Sequence, residues 1–330
     1  MNEGMALGII ESLSAGYRFV GTRFWLLIVP VALDLLLWLT PRLSVAPLFD
    51  WLANVYRDGG ALPTMPAELA DMMQTMADSL SAMGASSNLW TALVSGTLLH
   101  VPSLMATASL PTNEAVWLVS NGLVALLLWI GLALFGLFLG VIYLGLLARV
   151  LPIGANARPT SASEFLKSSV RHWLRVVGFV LVVAVILLGI YLPASVFISV
   201  VVMIVPALGL GLITLMGFSI LFVFLYLYFV TAGLVMDDLT IRSAIVQSVS
   251  MVRRYFWSVL GFILLTNIIS AGIGLMLGQL IAYATAGTFA AIVINAYVGA
   301  GLSMALLVFY RTRVLTGQNA ALVVEKGIGQ

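Results

Sequence analysis

Apolar runs of about 18 residues or more recur along this chain, and a coiled run of that length crosses the roughly 30 Å hydrocarbon core of a bilayer. Inside lipid every backbone polar group needs a partner within the protein, so only helices or closed barrels can span. A barrel would show alternating segments of about ten residues, and the runs do not alternate. The chain is 62% hydrophobic and only 8% charged, whereas a soluble domain carries roughly 25% charged residues. A water-soluble fold is excluded, and the expected class is an all-α integral membrane protein.

Six transmembrane helices are expected, at about Phe24 to Leu39, Trp117 to Arg149, Val176 to Leu192, Leu208 to Val235, Trp257 to Tyr283 and Phe289 to Tyr310. The apolar stretch Ser195 to Pro206 is short for a span. It is either re-entrant or an extension of its neighbours, and a crossing there would make seven. Of the 15 Lys and Arg residues, all but Arg42 and Arg57 fall on one side of a six-span arrangement. The positive-inside rule makes that side cytoplasmic. The opposite side sets Asp50, Asp58, Glu68, Asp71, Asp78 and Glu114 against those two arginines. A seventh span would put basic segments on both sides. The expectation is therefore six spans in a prokaryotic cytoplasmic membrane, with both termini inside. Glu3 and Glu11 precede Arg18 and Arg23, the reverse of a secretory signal, so the N-terminal segment reads as retained. No basic tract suits nucleic acid. The chain has no cysteine, which excludes disulfides, thiolate metal sites and cysteine nucleophiles.

A threefold repeat is expected within this layout, each unit being a short amphipathic cytoplasmic segment leading into a helical hairpin. The lead-in segments are Glu11 to Trp25, Ser161 to Arg175 and Thr240 to Trp257. In the middle one Phe165, Leu166, Ser169, Val170, Trp173, Leu174 and Val177 share one helical face, and Ser161 with Glu164 forms a capping box. Each segment closes on a basic and aromatic cluster suited to lipid headgroups, with Arg23 and Trp25, Arg171 and Trp173, and Arg254 and Trp257 as anchors. Arg149-Val150-Leu151 and Arg313-Val314-Leu315 end two hairpins alike. The organisation is thus 1–40, lead-in and first span; 41–115, an extracytoplasmic helical cap; 116–155, second span; 156–238 and 239–330, the two remaining lead-in and hairpin units, the last with a cytoplasmic tail. In the cap, Pro66 opens a helix with Leu69, Met72, Met73, Met76, Leu80 and Met83 on one face, and a second helical stretch runs from Asn88 to His100.

The unit seen in Ser161 to Val180, and again in Asp238 to Phe262, resembles polytopic bacterial membrane proteins related to the membrane domain of glycerophosphoryl diester phosphodiesterases. The resemblance is carried mainly by the C-terminal half. It implies a six-helix membrane unit and brings no residue-level mechanism, because in that family hydrolysis belongs to a separate barrel domain that this chain lacks. The Pro41 to Ala115 insertion departs from the family's short external loops.

Asp34 is the one carboxylate well inside a span, and an intramembrane acid marks a site by default. It suits an interfacial clamp to Arg42 or Arg57, a proton or ion relay, or a headgroup ligand. Asp34, Asn267 and Asn295 form the candidate intramembrane polar site. Asn267, Gln279 and Asn295 suit interhelical hydrogen bonds or a polar path. Asp237 and Asp238 precede Thr240 and suit a helix cap or a cation site. His100 is expected outside and His172 at the cytoplasmic interface, so they do not share a cofactor. The methionine stripe suits apolar contact or, as soft ligands, Cu(I). Gly136 and Gly140, Gly274 and Gly278, and the row Asn295, Gly299, Ser303 suit close helix contacts. No phosphate loop, metal-ligand cluster or nucleophile elbow is present, and no enzyme activity, metal or cofactor is expected. The first functional expectation is a scaffold or accessory subunit of a membrane assembly, contacting lipids and protein partners or further copies of itself. The alternative is a transporter or lipid-handling protein with a cavity inside the bundle.

Overall fold

The computed structural model describes residues 7–63, 65–105, 115–151, 161–282 and 285–328; Glu3, Glu114, Arg158 and Tyr283, which enter the expectations above, lie outside them. The chain is an all-α, multi-pass membrane protein. Five of the expected spans fall in helices long and apolar enough to cross a bilayer: α5 (Gly122–Val150), α6 (Ala162–Ile204), α7 (Pro206–Leu227) continued by α8 (Val230–Met236), α10 (Phe256–Ile281) and α11 (Thr285–Ile328). The expected first span is different. Phe24 to Leu39 is a 3₁₀ turn (Phe24–Leu27) followed by the 12-residue α2 (Ile28–Leu39), about 18 Å of α-helix. It reaches spanning length only together with α1 (Ile9–Gly21), from which it is bent by 95°.

The three lead-in segments take three forms. The second merges with its span, so α6 runs 43 residues without a break and passes through Pro193. Ser195 to Ile204 simply continues that helix, which settles the short apolar stretch as an extension of its neighbour. The chain turns at Val205 and resumes at Pro206, the first position of α7, where a missing N–H costs nothing. The third lead-in is α9 (Ile241–Arg254), separated from α10 at Tyr255. The first is α1, which packs along α11 with Ser12, Ala15, Gly16 and Val20 buried. A Cβ on Gly16 would lie 2.5 Å from the Gly301 carbonyl oxygen and 2.6 Å from the Ala305 nitrogen, so only glycine permits this crossing. Around α11 the aromatic rings of Phe229, Phe262, Phe309 and Tyr310 stack into the core.

The α6–α7 hairpin lies at the periphery. Its helices meet at Gly209 against Val202 and through a 2.7 Å hydrogen bond between the Tyr191 and Ser219 hydroxyls, while Phe197, Met203, Ile204 and Leu215 face outward. Such a surface is compatible with lipid and not with water.

The end of the bundle opposite Arg149, Arg175, Arg254 and Arg311 carries the cap: α3 (Ala46–Gly60) and α4 (Ala67–Ser86), packed through Gly59 on Met73 and Gly84 on Phe49. Two parallel strands, β1 (Arg42–Ser44) and β2 (Val116–Leu118), tie it to the spans. Met72, Met76 and Met83 are exposed on α4. The second helical stretch expected in the cap is instead a 3₁₀ helix, Leu89–Leu99, laid against α5.

Gly16→Val is expected to lower stability by about 2–3 kcal/mol through overpacking against fixed backbone, whereas Gly278→Ala, with open space around it, is expected to leave the melting temperature unchanged. Thermal unfolding of the two variants in detergent checks this, and equal melting temperatures would refute the close α1–α11 crossing.

Candidate functional site

The Leu89–Leu99 helix runs in the same sense as α5, with Leu93 seated on Gly136 and Leu99 on Gly140. Gly140 lies about 27 Å along α5 from its first residue, so this segment is carried deep between the spans. The chain reverses at His100, which adopts the left-handed conformation with φ 58°, an uncommon state for a residue with a side chain. It then returns through Pro102 to Met105. Irregular backbone at membrane depth is tolerated only where protein or a cavity surrounds it, and each part of this turn has a partner. The Ser303 hydroxyl donates to the His100 carbonyl at 2.5 Å, and Gly299 admits Pro102, since a Cβ there would sit 2.1 Å from the proline ring.

Asp34 secures the returning limb. Its fully buried carboxylate accepts from the Ser103 hydroxyl (2.5 Å) and from the backbone N–H groups of Leu104 (2.9 Å) and Met105 (3.3 Å). Neither Arg42 nor Arg57 is its partner: Arg42 donates to the Ala85 carbonyl and Arg57 pairs with Asp78 at 3.2 Å.

Beside the turn is a cavity of about 270 Å³ between α10, α11 and the α7–α8 joint. His100, Ser103, Tyr228, Thr266, Asn267, Ser270, Asn295 and Ser303 give it polar walls, completed by apolar residues such as Ile273 and Leu302. Among the described residues no Asp, Glu, Lys or Arg lines it. The His100 ring meets Tyr228 edge-on at 5.2 Å. Tyr228 stands where α7 gives way to α8, and Ser248 holds that break by donating to the Tyr226 carbonyl (2.7 Å) and accepting from the Phe229 N–H (3.3 Å).

The expected polar site is thus brought together in part. Asn267 and Asn295 line the cavity, while Asp34 stands behind the turn as its brace. Asn267 donates to Ile263 in its own helix, not across helices. Of the expected glycine contacts, Gly136, Gly140 and Gly299 receive the re-entrant segment, whereas Gly274 and Gly278 have no heavy atom within 4 Å of a Cβ position. His100, Ser103, Tyr228 and Ser303 join the site beyond the expected residues, and His100, expected outside, lies within the bundle. The signal for it was present in the apolar composition of Leu89 to Met105.

The opposite, basic end is held by charge. Asp237 pairs with Arg311 and accepts from the Tyr310 hydroxyl at 2.6 Å. Asp238, at φ 52°, gathers Arg175 (2.5 Å), His172 (3.0 Å) and Arg171 (3.7 Å). The two acids therefore clamp the α8–α9 joint to α11 and α6, and Thr240 caps α9 through the Ser243 N–H. Because the Asp238 carboxylate accepts, His172 Nε2 carries the proton in this bond. Burial pushes the Asp238 carboxyl up, but the His172 hydrogen bond and the Arg175 charge outweigh it and hold the group below the usual carboxylate range. Among the expected lipid anchors, Arg171 is engaged with Asp238, and the Trp173 indole donates to the Leu134 carbonyl at 2.9 Å and packs edge-on against Phe138. Arg23 bonds Thr22, Trp25 is half exposed, and Trp257 is 80% exposed.

The chain matches no protein-family model, no curated protein and no solved structure.

Asp34→Asn keeps one accepting oxygen and turns the other into a donor that faces the N–H of Leu104 or of Met105, and is expected to cost about 2–3 kcal/mol, read as a lower melting temperature and faster hydrogen exchange at Leu104 and Met105. Asp238→Asn tests the second locus. A carboxylate with a depressed pKa contributes stability above its unfolded value, 3.8, and loses it only as pH falls through the lower folded one. Asn tolerates the left-handed backbone, so the variant isolates the charge. Its loss in melting temperature is expected to be small and to persist at about pH 5; a loss that vanishes by about pH 5 would contradict the depressed carboxyl.

Proposed function

We propose that this protein is a non-enzymatic carrier or channel that binds a small, uncharged polar solute in the cavity at the His100 turn and passes it across the membrane. The observation that carries this reading is a polar cavity beside a re-entrant turn at membrane depth, lined by Asn267 and Asn295. Membrane carriers place their sites where helices are interrupted, because exposed backbone and polar side chains there substitute for water. The volume of about 270 Å³ falls just below the roughly 300 Å³ at which pockets for drug-sized ligands begin, so the solute has few heavy atoms. Amides, hydroxyls and an imidazole offer donors and acceptors without a full charge, which suits a small amide or polyol. The positive-inside rule places the basic end in the cytoplasm and the α3–α4 cap outside.

The scaffold reading keeps one supporting observation. In the α6–α7 hairpin only 11% and 6% of the spanning windows are buried within the chain, which leaves its apolar surface to lipid or to a partner within the membrane. A bundle built only as a scaffold has no need of a polar cavity, and this favours transport.

The test uses proteoliposomes and stopped-flow light scattering with urea and glycerol as probes. The wild-type chain is expected to speed entry of at least one probe about tenfold over empty liposomes, and Asn267→Leu with Asn295→Leu to abolish the increase. Because the chain lacks cysteine, Ser270→Cys can be labelled alone, and an aqueous maleimide is expected to reach it. No accelerated entry together with an unreactive Ser270→Cys would refute the reading.

A further inference from the structure

Arg253, Arg254 and Arg313 at the α9–α10 joint have no carboxylate partner among the described residues, whereas Arg171, Arg175 and Arg311 nearby are matched by Asp238 and Asp237. Arg254 lies 5.5 Å and Arg313 5.8 Å from the centre of the Tyr255 ring, so two guanidinium groups attend one phenol. Arg313 is 4% exposed and stacks 3.3 Å over Phe309; its buried Nε has no hydrogen-bond partner. Arg253 and Arg254 lie at one end of a shallow, open groove of about 540 Å³ on one face of α9, whose other described lining residues are Ile245, Val246, Val249 and Ser250 of the same helix. Val246 is 61% exposed.

Cations in the last turn of a helix are favoured by its dipole, which accounts for arginine at 253 and 254. It does not account for the exposed apolar strip that continues from them along α9. A groove apolar along its length and doubly cationic at one end is complementary to a single amphiphile: an acyl chain along Val246 and Val249, and a phosphodiester held by the two guanidinium forks with the Ser250 hydroxyl as a further donor. Its height agrees with this. Trp257, at the start of the α10 span, marks the depth at which rings and headgroups meet. We propose that the groove on α9 is a binding site for one anionic phospholipid, independent of the solute cavity. It singles out the third lead-in segment, because the corresponding Arg171 and Trp173 of the second are taken up by Asp238 and Leu134.

The test is native mass spectrometry of the full chain in detergent with added phosphatidylglycerol or phosphatidylcholine of the same acyl chains. One phosphatidylglycerol adduct is expected to be retained about tenfold over phosphatidylcholine. Arg253→Gln with Arg254→Gln is expected to bring the two lipids level, and Val246→Ser with Val249→Ser to weaken both. Arg57→Gln at the cap is expected to change nothing. Equal retention by the wild-type chain, a preference surviving in the glutamine variant, or displacement of the adduct by excess inorganic phosphate would each overturn the proposal. If the glutamine variant does not survive purification, Arg253→Lys with Arg254→Lys keeps the charge without the paired donors; it is expected to hold phosphatidylglycerol several-fold more weakly, and unchanged retention overturns the site.

Discussion

A backbone N–H or C=O group without a partner in an apolar environment costs several kcal/mol, and among the described residues the helices are interrupted at depth at the His100 turn and at Tyr228. At both, a side chain from a distant part of the sequence supplies the missing bonds. Asp34 accepts the N–H groups of Leu104 and Met105, with Ser303 donating to the His100 carbonyl on the other limb. Ser248 serves both sides of the Tyr228 break. The cavity lies between these two repairs. Ser303 both repairs the turn and lines the cavity, and Asn267, Ser270 and Asn295 add polar groups from α10 and α11.

Charge and neutrality are kept apart along the bundle axis. The ionised groups that tie the spans together, Asp237 with Arg311 and Asp238 with Arg175, lie at the basic end, and Arg57 with Asp78 joins the two cap helices at the other. A buried pair such as Asp237–Arg311 adds little net stability against an apolar replacement, but it is costly to break from one side. Its effect is to fix where α8 ends relative to α11, and therefore where Tyr228 stands against His100. The mid-bundle cavity carries no ionised carboxylate or guanidinium on its walls, so a neutral solute meets hydrogen-bonding groups there without the desolvation of a fixed charge.

Particular residues show how far the sequence could be read. Hydropathy located α5, α6, α7, α10 and α11, because transfer into lipid is a sum over the residues of one segment. The first span is shorter than expected and bent from α1 by 95°, and Ser12, Ala15 and Gly16 are the small faces that let α1 lie against α11. Glycine spacing was equally ambiguous: Gly136 and Gly140 seat Leu93 and Leu99, while Gly274 and Gly278 meet nothing. Asn267 and Asn295 were recognisable as polar residues out of place in apolar helices. His100 was not, because a 3₁₀ helix of 11 residues is too short to register as a span.

The sequence by itself determined that the chain is helical and membrane-embedded, that its positive charge is gathered to one side, and that thiol chemistry is absent. These follow from composition and local order, which act segment by segment. The tertiary structure alone decided that Asp34 braces the His100 turn, that Leu89 to Met105 enters the bundle, and that Trp173 turns inward while Trp257 does not. Those outcomes depend on which groups meet across the chain, such as Asp34 and Leu104, 70 residues apart, and no property of either segment alone specifies the meeting.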